Sequence, residues 1–251
     1  MEAGIALVTG AGKRLGREMA LYLAQRGFDV GVHFAHSFEG AHEVVDDIQN
    51  LGRNAVAIKA DLLREEEAQA LVGETAGLLG GPVTLLVNNA SIFEADDLAD
   101  MTRLSWDRHI ESNLRAPVVL SQSFARQAPK AVPDAQGEPR ARALIVNMLD
   151  QRVKSLRPEF LSYSIAKMGL YAFTEWAALA LAPDVRVNAI GPGPTLRGAH
   201  QSSDEFAQER AATLLRRGVE PSDITATLGY FMDADGVTGQ LICPDGGQHL
   251  S

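Results

Sequence analysis

The amino-acid sequence predicts an α/β fold in which one parallel β-sheet is covered by helices on both faces. Short apolar runs alternate with longer amphipathic runs along the 251 residues, as in a chain of consecutive βα units. The short runs are apolar on both faces, which is typical of strands buried in a parallel sheet. The length suits one large domain, and no linker or internal repeat interrupts the alternation. We therefore predict a single, doubly wound domain over residues 1–251.

Seven short apolar runs are predicted to be the strands, because each has the length and composition of a buried strand and is followed by a turn or a helical pattern. In chain order, the predicted strands are Ile5–Val8, Asp29–Phe34, Ala55–Ala60, Val83–Val87, Ala143–Met148, Val185–Ile190 and Leu241–Cys243.

The amphipathic runs between these strands are predicted to be helices, and the first two end at Gly27 and Gly52, as helices often do. In chain order, the predicted helices are Leu15–Arg26, Phe38–Leu51, Arg64–Leu79, Arg103–Gln127, Ser162–Leu181, Glu205–Arg216 and Pro221–Phe231. The segment Pro129–Arg142 is rich in Pro, Ala, Gly and charged residues, and it is predicted to be an exposed loop.

The composition argues against several function classes. The net charge is −9 and no long basic cluster is present, which argues against a nucleic-acid partner. No apolar run reaches the ~18 residues of a membrane span, and the N-terminus has no signal-peptide pattern. The one cysteine, Cys243, has apolar neighbours and is expected to be a small buried hydrophobe. A single thiol fits a reducing compartment, so we expect a cytoplasmic protein with no membrane contact, and we assign no metal site.

A glycine-rich turn follows the first predicted strand and leads directly into a helix. Its sequence is Thr9-Gly10-Ala11-Gly12-Lys13-Arg14-Leu15-Gly16. Glycines let the main chain approach a pyrophosphate closely, and the N–H groups at a helix N-terminus attract anions. This position in an alternating chain predicts a dinucleotide-binding site.

Two residues on one predicted helix have the spacing of a proton-transfer pair. Tyr163 and Lys167 are four residues apart, so their side chains lie on the same helix face. A tyrosine with its usual pKa of about 10 exchanges protons poorly at neutral pH. A neighbouring ammonium favours the phenolate, so we expect Lys167 to lower the pKa of Tyr163.

These motifs, with Asn88-Asn89-Ala90 and Asn188-Ala189-Ile190-Gly191-Pro192-Gly193, resemble those of short-chain dehydrogenases/reductases. The resemblance runs from Gly4 to Gly247, almost the whole chain. It implies a Rossmann fold, a nicotinamide cofactor and a homotetramer. It also implies that Asp61 and Leu62 meet the adenine ring and that Pro192 and Gly193 lie beside the nicotinamide. Asn113 matches the helix-distorting asparagine of that family, which supports a proton-relay water next to Lys167.

The end of the second strand favours NADP(H) over NAD(H). Enzymes that use NAD commonly place a carboxylate there for the ribose 2′-hydroxyl, but this chain has His33-Phe34-Ala35-His36-Ser37. Lys13, Arg14, His36 and Ser37 are suited to a 2′-phosphate. The predicted cofactor-binding residues are Gly10, Lys13, Arg14, Leu15, Gly16, His36, Ser37, Asp61, Leu62, Asn89, Ala90, Ser91, Tyr163, Lys167, Pro192 and Gly193.

Three departures from the broad family resemble pteridine reductases. Arg14 replaces the second glycine of the turn, Phe93 follows Asn-Asn-Ala-Ser, and Asp150 stands thirteen residues before Tyr163, where a serine is usual. An ionised carboxylate accepts from N–H donors and cannot donate to a ketone oxygen. Ser155 lies closer to Tyr163 but is displaced along the loop, so we do not expect it to substitute for that serine.

The sequence therefore predicts an NADPH-dependent reductase of a C=N bond in a pteridine-like heterocycle. The predicted catalytic residues are Asp150, Tyr163, Lys167 and Asn113, and the predicted substrate-binding residues are Arg14, Phe93, Asp150 and Tyr163. An aromatic face at Phe93 can stack on a flat ring. Phe173 and Trp176 are expected to pack between helices or subunits, and Pro192–Ser203 is expected to face the substrate. Two alternatives remain open, which are a ketone or alcohol substrate and a non-catalytic NADP(H)-binding sensor.

Overall fold

Seven parallel strands form the central sheet of the computed structural model, which describes residues 1–198 and 201–250. The strands of this sheet are β1 (Ile5–Val8), β2 (Asp29–Phe34), β3 (Ala55–Lys59), β4 (Val83–Asn88), β7 (Ala143–Met148), β8 (Val185–Ile190) and β9 (Leu241–Ile242). Their spatial order is β3-β2-β1-β4-β7-β8-β9. The prediction of a doubly wound α/β fold is confirmed.

Helices cover both faces of the sheet. Their bounds are α1 (Arg14–Gln25), α2 (Phe38–Asn50), α3 (Glu65–Leu79), α4 (Arg103–Ile110), α5 (Ala116–Gln127), α6 (Leu161–Leu181), α7 (Ser203–Ala211) and α8 (Pro221–Asp233). Apolar side chains of α1, α2 and α8 form one buried layer with the sheet, and those of α3, α5 and α6 form the other. This double burial explains why the strands have no polar face.

Strands are added to one side of β1 up to β3 and to its other side from β4 onward, and this switch in strand order organises the ligand-binding edge. Val8, at the end of β1, pairs with Val32 of β2 on one side and with Val87 of β4 on the other. The connections after β1 and β4 therefore leave the sheet in opposite directions and open a crevice at its carboxyl edge. Ligands of open α/β sheets bind at such a crevice.

Two sequence predictions are wrong in detail. The predicted helix over 103–127 is interrupted by a π-helical turn at Glu111–Arg115. The predicted loop over 129–142 contains a small antiparallel hairpin of β5 (Val132–Pro133) and β6 (Pro139–Arg140). The turn of this hairpin is stabilised by Asp134, whose Oδ1 accepts hydrogen bonds from the main-chain N–H groups of Gln136 and Glu138.

The predicted helix over 205–216 is shorter than expected. It begins with a capping box, in which Ser202 and Glu205 each accept a hydrogen bond from the other's main-chain N–H. It ends at Ala211, because the hydroxyl of Thr213 donates to the carbonyls of Arg210 and Arg217 and so forms a turn in place of further helix.

The two aromatic residues of α6 that were expected to pack between helices or subunits differ in environment. Phe173 is partly buried and packs against the apolar layer on its face of the sheet. Trp176 is 70% exposed, so it has no packing role within the chain. Among the described residues, no helix is both long enough and apolar enough to cross a membrane.

Candidate active site

The glycine-rich turn after β1 is held by main-chain and side-chain contacts to the end of β4. Thr9 Oγ1 accepts hydrogen bonds of 2.9 Å from the N–H groups of Asn89 and Ala90. The Asn89 side chain donates to the carbonyl of Thr9 at 2.7 Å. Gly10 has a φ of 65°, and a Cβ added there would lie 3.0 Å from Ala90 Cα. A glycine is therefore needed at this position, and Asn89 serves to shape the turn.

His33, at the end of β2, is a second support of the turn that the sequence did not reveal. Its Nδ1 accepts a hydrogen bond of 2.9 Å from the Gly10 N–H, and its Nε2 lies 3.0 Å from the carbonyl of Ala60. The imidazole is 1% exposed, and burial lowers its pKa to about 4. The ring is therefore neutral, donates through Nε2, and connects the ends of β1, β2 and β3.

The helix starts beside this turn fit the phosphates of a dinucleotide. The side chains of Lys13 and Ser37, which precede α1 and α2, make no capping hydrogen bond, so the first-turn N–H groups are left for a ligand. The two starts are adjacent, since a Cβ added at Gly12 would lie 2.9 Å from Ser37 Oγ. Lys13 and His36 are exposed at the same edge. The residues present therefore suit a pyrophosphate and an added phosphate group.

The other predicted cofactor residues lie along the same edge of the sheet. Leu15 is half-buried at the start of α1, Leu62 is buried after β3, and Ser91 is exposed after β4. Asp61 Oδ1 accepts a hydrogen bond of 3.0 Å from the Leu63 N–H, which orients the carboxylate. Gly16 is required for close packing, because a Cβ added there would lie 2.2 Å from the Gly10 carbonyl oxygen.

Arg14 contacts the main chain that follows β8. Its guanidinium donates to the carbonyls of Arg197 and Leu196 at 2.9 and 3.0 Å, and its predicted binding of cofactor and substrate stays a prediction. Its φ of 54° is unusual for a residue with a side chain. Arg14 therefore ties the glycine turn to the segment after β8.

The turn after β8 lies where the sequence places it. The Pro192 carbonyl accepts from the Gln151 N–H at 3.3 Å, and the Gly193 N–H donates to the Pro244 carbonyl at 3.1 Å. A Cβ added at Gly193 would lie 2.6 Å from Asp245 Cα, so the turn packs directly on the chain after β9. Of the segment expected to face the substrate, residues 199 and 200 lie outside the described residues.

Tyr163 and Asp150 meet at the carboxyl edge of β7. The Tyr163 hydroxyl donates a hydrogen bond of 2.9 Å to Asp150 Oδ2. The other carboxylate oxygen, Oδ1, accepts from the Arg152 N–H at 2.9 Å, which fixes the carboxyl group at the start of a short 3₁₀ turn. Tyr163 is buried in α6, so its hydroxyl is presented to this carboxylate and not to Ser155.

The pKa of Tyr163 is raised, whereas the spacing to Lys167 predicted that it would be lowered. Burial and the charge and hydrogen bond of Asp150 raise the pKa of Tyr163 well above its usual value. The Lys167 ammonium donates to the Met148 carbonyl at 2.8 Å and lies 5.6 Å from the centre of the Tyr163 ring. Burial lowers the pKa of Lys167 to about 8. The phenol is therefore held neutral, as a proton donor requires.

Asn113 lies in the π-helical turn, and both polar atoms of its side chain bind the main chain of Ile92. Its Nδ2 donates to the Ile92 carbonyl at 2.8 Å, and its Oδ1 accepts from the Ile92 N–H at 2.9 Å. Asn113 therefore fixes the main chain between Ser91 and Phe93. The relay water beside Lys167 that the resemblance implies stays a prediction.

Phe93 belongs to an aromatic wall beside Tyr163. Its ring stacks on that of Phe160, with centroids 4.2 Å apart and planes 10° apart, and meets the Tyr163 ring edge-on at 4.7 Å. The Arg152 guanidinium lies over the ring of Phe160, 5.1 Å from the ring centre. Phe93 remains 49% exposed, so part of its side chain is accessible to a ligand.

A buried polar network lies next to this wall, and it could not be predicted from the sequence. Ser162 donates through its hydroxyl to Asp96 Oδ2 and through its main-chain N–H to Asp96 Oδ1. His109 Nδ1 lies 2.6 Å from Ser162 Oγ, and its Nε2 accepts from the Glu94 N–H at 3.1 Å. The network attaches residues 94–96 to the start of α6. Its members are far apart in sequence, so no spacing could have linked them.

Cys243 is half-buried at the end of β9 and outside this chemistry. Burial and nearby carboxylates raise the pKa of its thiol to about 11, so it stays protonated at neutral pH. No group of three or more His, Cys, Asp or Glu side chains within 1–198 and 201–250 is arranged to hold a metal ion.

The chain is similar in sequence and structure to known proteins. The chain is 37% identical to FolM alternative dihydrofolate reductase 1 from Brucella suis, solved in complex with NADP, with a TM-score of 0.92 over 100% of this chain and 97% of that one. The corresponding Brucella canis protein, also complexed with NADP, is 36% identical, with a TM-score of 0.91 over 100% of this chain and 95% of that one.

A curated relative and a family model complete the assignment. The chain is 30% identical over 250 residues to 3-oxoacyl-[acyl-carrier-protein] reductase FabG of Staphylococcus aureus, and the match covers 98% of each protein. The family model described as short chain dehydrogenase matches residues 4–208. The protein is therefore a member of the short-chain dehydrogenase family of oxidoreductases.

Proposed function

We propose that this protein is an NADPH-dependent reductase of a C=N bond in a pteridine-like heterocycle. The observation that carries the proposal is the 2.9 Å hydrogen bond from the Tyr163 hydroxyl to Asp150, beside the half-exposed side chain of Phe93. The proton donor, a carboxylate that accepts from N–H groups and a stacking surface for a flat ring lie together at one strand end.

NADP(H) is the cofactor in this proposal. The uncapped starts of α1 and α2, with the exposed side chains of Lys13 and His36, suit a pyrophosphate and a 2′-phosphate. No carboxylate stands at the end of β2 to bind the 2′-hydroxyl of NAD. NADP is the ligand named for both Brucella relatives.

Tyr163 supplies the proton of the reaction. When bound, NADPH supplies a hydride to the carbon of the C=N bond. Tyr163 gives its hydroxyl proton to the nitrogen, so one C–H bond and one N–H bond form and the C=N double bond becomes single. The phenolate left behind faces the Lys167 ammonium, 5.6 Å from its ring centre, and regains a proton from solvent.

Asp150 distinguishes a nitrogen heterocycle from a ketone. Its carboxylate accepts hydrogen bonds and would repel the negative charge that develops on a ketone oxygen during reduction. Ring N–H and amino groups of a pterin are donors and suit it. The FolM relatives, which are described as alternative dihydrofolate reductases, support a substrate with a pterin ring.

The test is the loss of NADPH absorbance with dihydropterins, run beside a panel of small ketones. We expect rapid oxidation with the dihydropterins and little with the ketones. A folded protein that gives no turnover with saturating NADPH and dihydropterins would contradict the proposal. Tyr163→Phe is the control, because it removes the proton donor while retaining the ring that packs against Phe93.

A ketone substrate is the second candidate, favoured by the 30% identity to a 3-oxoacyl reductase. Asp150→Ser separates the two. The variant supplies a hydroxyl that can donate to a carbonyl oxygen. If the natural substrate is a ketone, Asp150→Ser therefore raises or preserves the rate of carbonyl reduction. If the natural substrate is a pterin, the same change lowers pterin turnover by about 10²-fold or more, because a group that helps in proton transfer is lost.

A further inference from the structure

The side chain of Arg152 is an unused cation at the wall of the site. Its guanidinium makes no salt bridge or hydrogen bond to any residue in the described part of the chain, and its Nη1 is buried without a partner. Its main-chain N–H, by contrast, donates to Asp150 Oδ1 at 2.9 Å. Arg152 is therefore anchored beside the catalytic carboxylate while its charged group remains available.

Other arginines with a buried, unpartnered nitrogen are held through their remaining nitrogens. Arg53 binds Asp29 through Nη2 at 2.7 Å, and Arg186 donates to the Val237 carbonyl at 3.1 Å. Arg152 has a π-contact with Phe160 in place of such a bond. A buried N–H donor that lacks an acceptor costs roughly 1–3 kcal/mol, so its retention is explained if a ligand supplies the acceptor.

The position of the guanidinium identifies the ligand as the substrate. It lies over Phe160, which stacks on Phe93, and Phe93 meets Tyr163 edge-on, so these groups form one continuous wall. The positive charge of Arg152 also acts on Tyr163 and favours its phenolate, against the larger effects of burial and Asp150 that raise its pKa. The groups that suit the cofactor phosphates lie at the ends of β1 and β2, on the opposite side of β4 from β7.

We propose that Arg152 is a substrate-binding residue whose guanidinium donates a hydrogen bond to an oxygen acceptor of the heterocyclic substrate. Asp150 and Arg152 then form a complementary pair, in which the carboxylate accepts from ring N–H groups and the guanidinium donates to an oxygen. The acceptor is either the carbonyl oxygen on the ring or a carboxylate on the ring's side chain. This inference rests on the proposed function and adds the polar pattern that the substrate must carry.

The experiment compares Arg152→Met with the wild-type enzyme on two substrates. Dihydrobiopterin carries the ring carbonyl and a neutral side chain, whereas dihydrofolate carries the same carbonyl and side-chain carboxylates. Arg152→Met removes the donor and the charge but retains much of the length that packs on Phe160. Lys154→Met is the matched control, because Lys154 lies in the same segment but its ammonium is bonded to the Tyr171 hydroxyl.

We expect Arg152→Met to raise the KM of at least one substrate by about 10- to 100-fold, as the loss of a hydrogen bond to a charged group would. An equal rise for both substrates identifies the ring carbonyl, and a rise for dihydrofolate alone identifies the side-chain carboxylate. The KM for NADPH stays unchanged, and Arg152→Lys restores part of the affinity. Unchanged KM values for both pterins in Arg152→Met would overturn the proposal.

Failure of this inference is distinguishable from failure of the proposed function. Wild-type protein that neither turns over a dihydropterin nor gains thermal stability from one, although it is stabilised by NADPH, contradicts the pterin function itself. Wild-type turnover with an equally active Arg152→Met contradicts the role of Arg152 alone. In Arg152→Met, a pterin should no longer raise the Tm, whereas NADPH should still do so. This result would support the role of Arg152 in substrate binding independently of catalysis.

Discussion

Ser162 and His109 belong to different helices and are 53 residues apart, yet Ser162 Oγ lies 2.6 Å from His109 Nδ1. The proton positions follow from the neighbours. The Glu94 N–H donates to Nε2, so Nδ1 carries the ring proton and donates to Ser162, whose hydroxyl donates to Asp96. Burial lowers the pKa of His109, so the ring stays neutral. Burial alone would raise the pKa of Asp96, but the hydrogen bonds from Ser162 outweigh it and lower that pKa.

Ser162→Ala is predicted to loosen the wall that carries Phe93. The change leaves the Asp96 carboxylate and the His109 N–H short of a partner, so we expect a loss of about 1–3 kcal/mol in the free energy of unfolding. It should also raise the KM for the pterin more than it lowers kcat. Ser164→Ala is the control, because the Ser164 hydroxyl is buried without a hydrogen-bond partner among the described residues. Denaturant unfolding measures the stability, and steady-state kinetics measure KM and kcat. Equal effects of Ser162→Ala and Ser164→Ala would contradict the prediction.

Tyr163→Phe is predicted to lower kcat by about 10²- to 10⁴-fold, the range expected for the loss of a general acid. The phenyl ring keeps the edge-on contact with Phe93, so the KM for the pterin should change little. Steady-state kinetics with dihydropterin measure the loss, and titration with NADPH checks that the cofactor still binds. Activity within a few-fold of the wild type would show that another group supplies the proton.

The pH dependence of the rate is predicted to follow Lys167. Its pKa is lowered to about 8, so the folded protein loses this positive charge as the pH rises through that value. Tyr163, whose pKa is raised, keeps its proton over the same range. We therefore expect kcat to fall above about pH 8, as the charge that stabilises the phenolate disappears. In Lys167→Arg the residual activity should lack this fall, because a guanidinium stays charged. A fall that persists in this variant would exclude Lys167 as its source.

His33 is predicted to make stability depend on acid. Its pKa is lowered from 6.5 to about 4 in the folded protein, so the unfolded chain binds the proton more readily. The stability from the neutral ring is present above pH 6.5 and is lost as the pH falls toward about 4. Protonation of this ring at low pH should therefore cost the folded protein about 3 kcal/mol of stability.

Urea unfolding of the wild type and of His33→Asn across that pH range isolates the contribution of His33 to the free energy of unfolding. The wild type should lose more stability on acidification, because the variant has no proton to gain at this position. The same change at the exposed His36 is the control. Parallel pH profiles for the wild type and His33→Asn would contradict the prediction.

Trp176 is predicted to be covered by a second copy of the chain, in line with the homotetramer that the sequence resemblance implies. Its side chain is 70% exposed on α6, and Leu179, three residues on, is 80% exposed. Trp176→Ser should reduce the molar mass measured by light scattering during gel filtration. Leu51→Ser, which changes an exposed apolar side chain at the end of α2, is the control. An unchanged mass would place any subunit contact elsewhere.

Much of the fold could be predicted because strands buried on both faces consist mainly of apolar residues, which are visible in the sequence. The glycines of the turn after β1 were informative as well, because a tight turn excludes larger side chains. The pairing of Tyr163 with Asp150 could also be anticipated, since one motif spacing places both near the carboxyl edge of β7.

The remaining features depend on contacts between distant segments. His33 supports Gly10 and Ser162 joins Asp96 to His109 through packing, which has no signature in local periodicity. The raised pKa of Tyr163 was missed because the spacing to Lys167 is visible in sequence, whereas burial and the orientation of Asp150 are not.

The attachment of the Phe93 segment to both the π-helical turn and the start of α6 has a consequence for redesign. Asn113 clamps the main chain at Ile92, and Asp96 is bound to Ser162, the residue directly before Tyr163. Phe93, proposed to stack on the substrate ring, and Tyr163, proposed to protonate it, are therefore positioned by the same set of hydrogen bonds. Substitutions in residues 92–96 that are meant to admit other substrates will therefore also shift the proton donor, Tyr163. Variant libraries should change this segment and the first turn of α6 together.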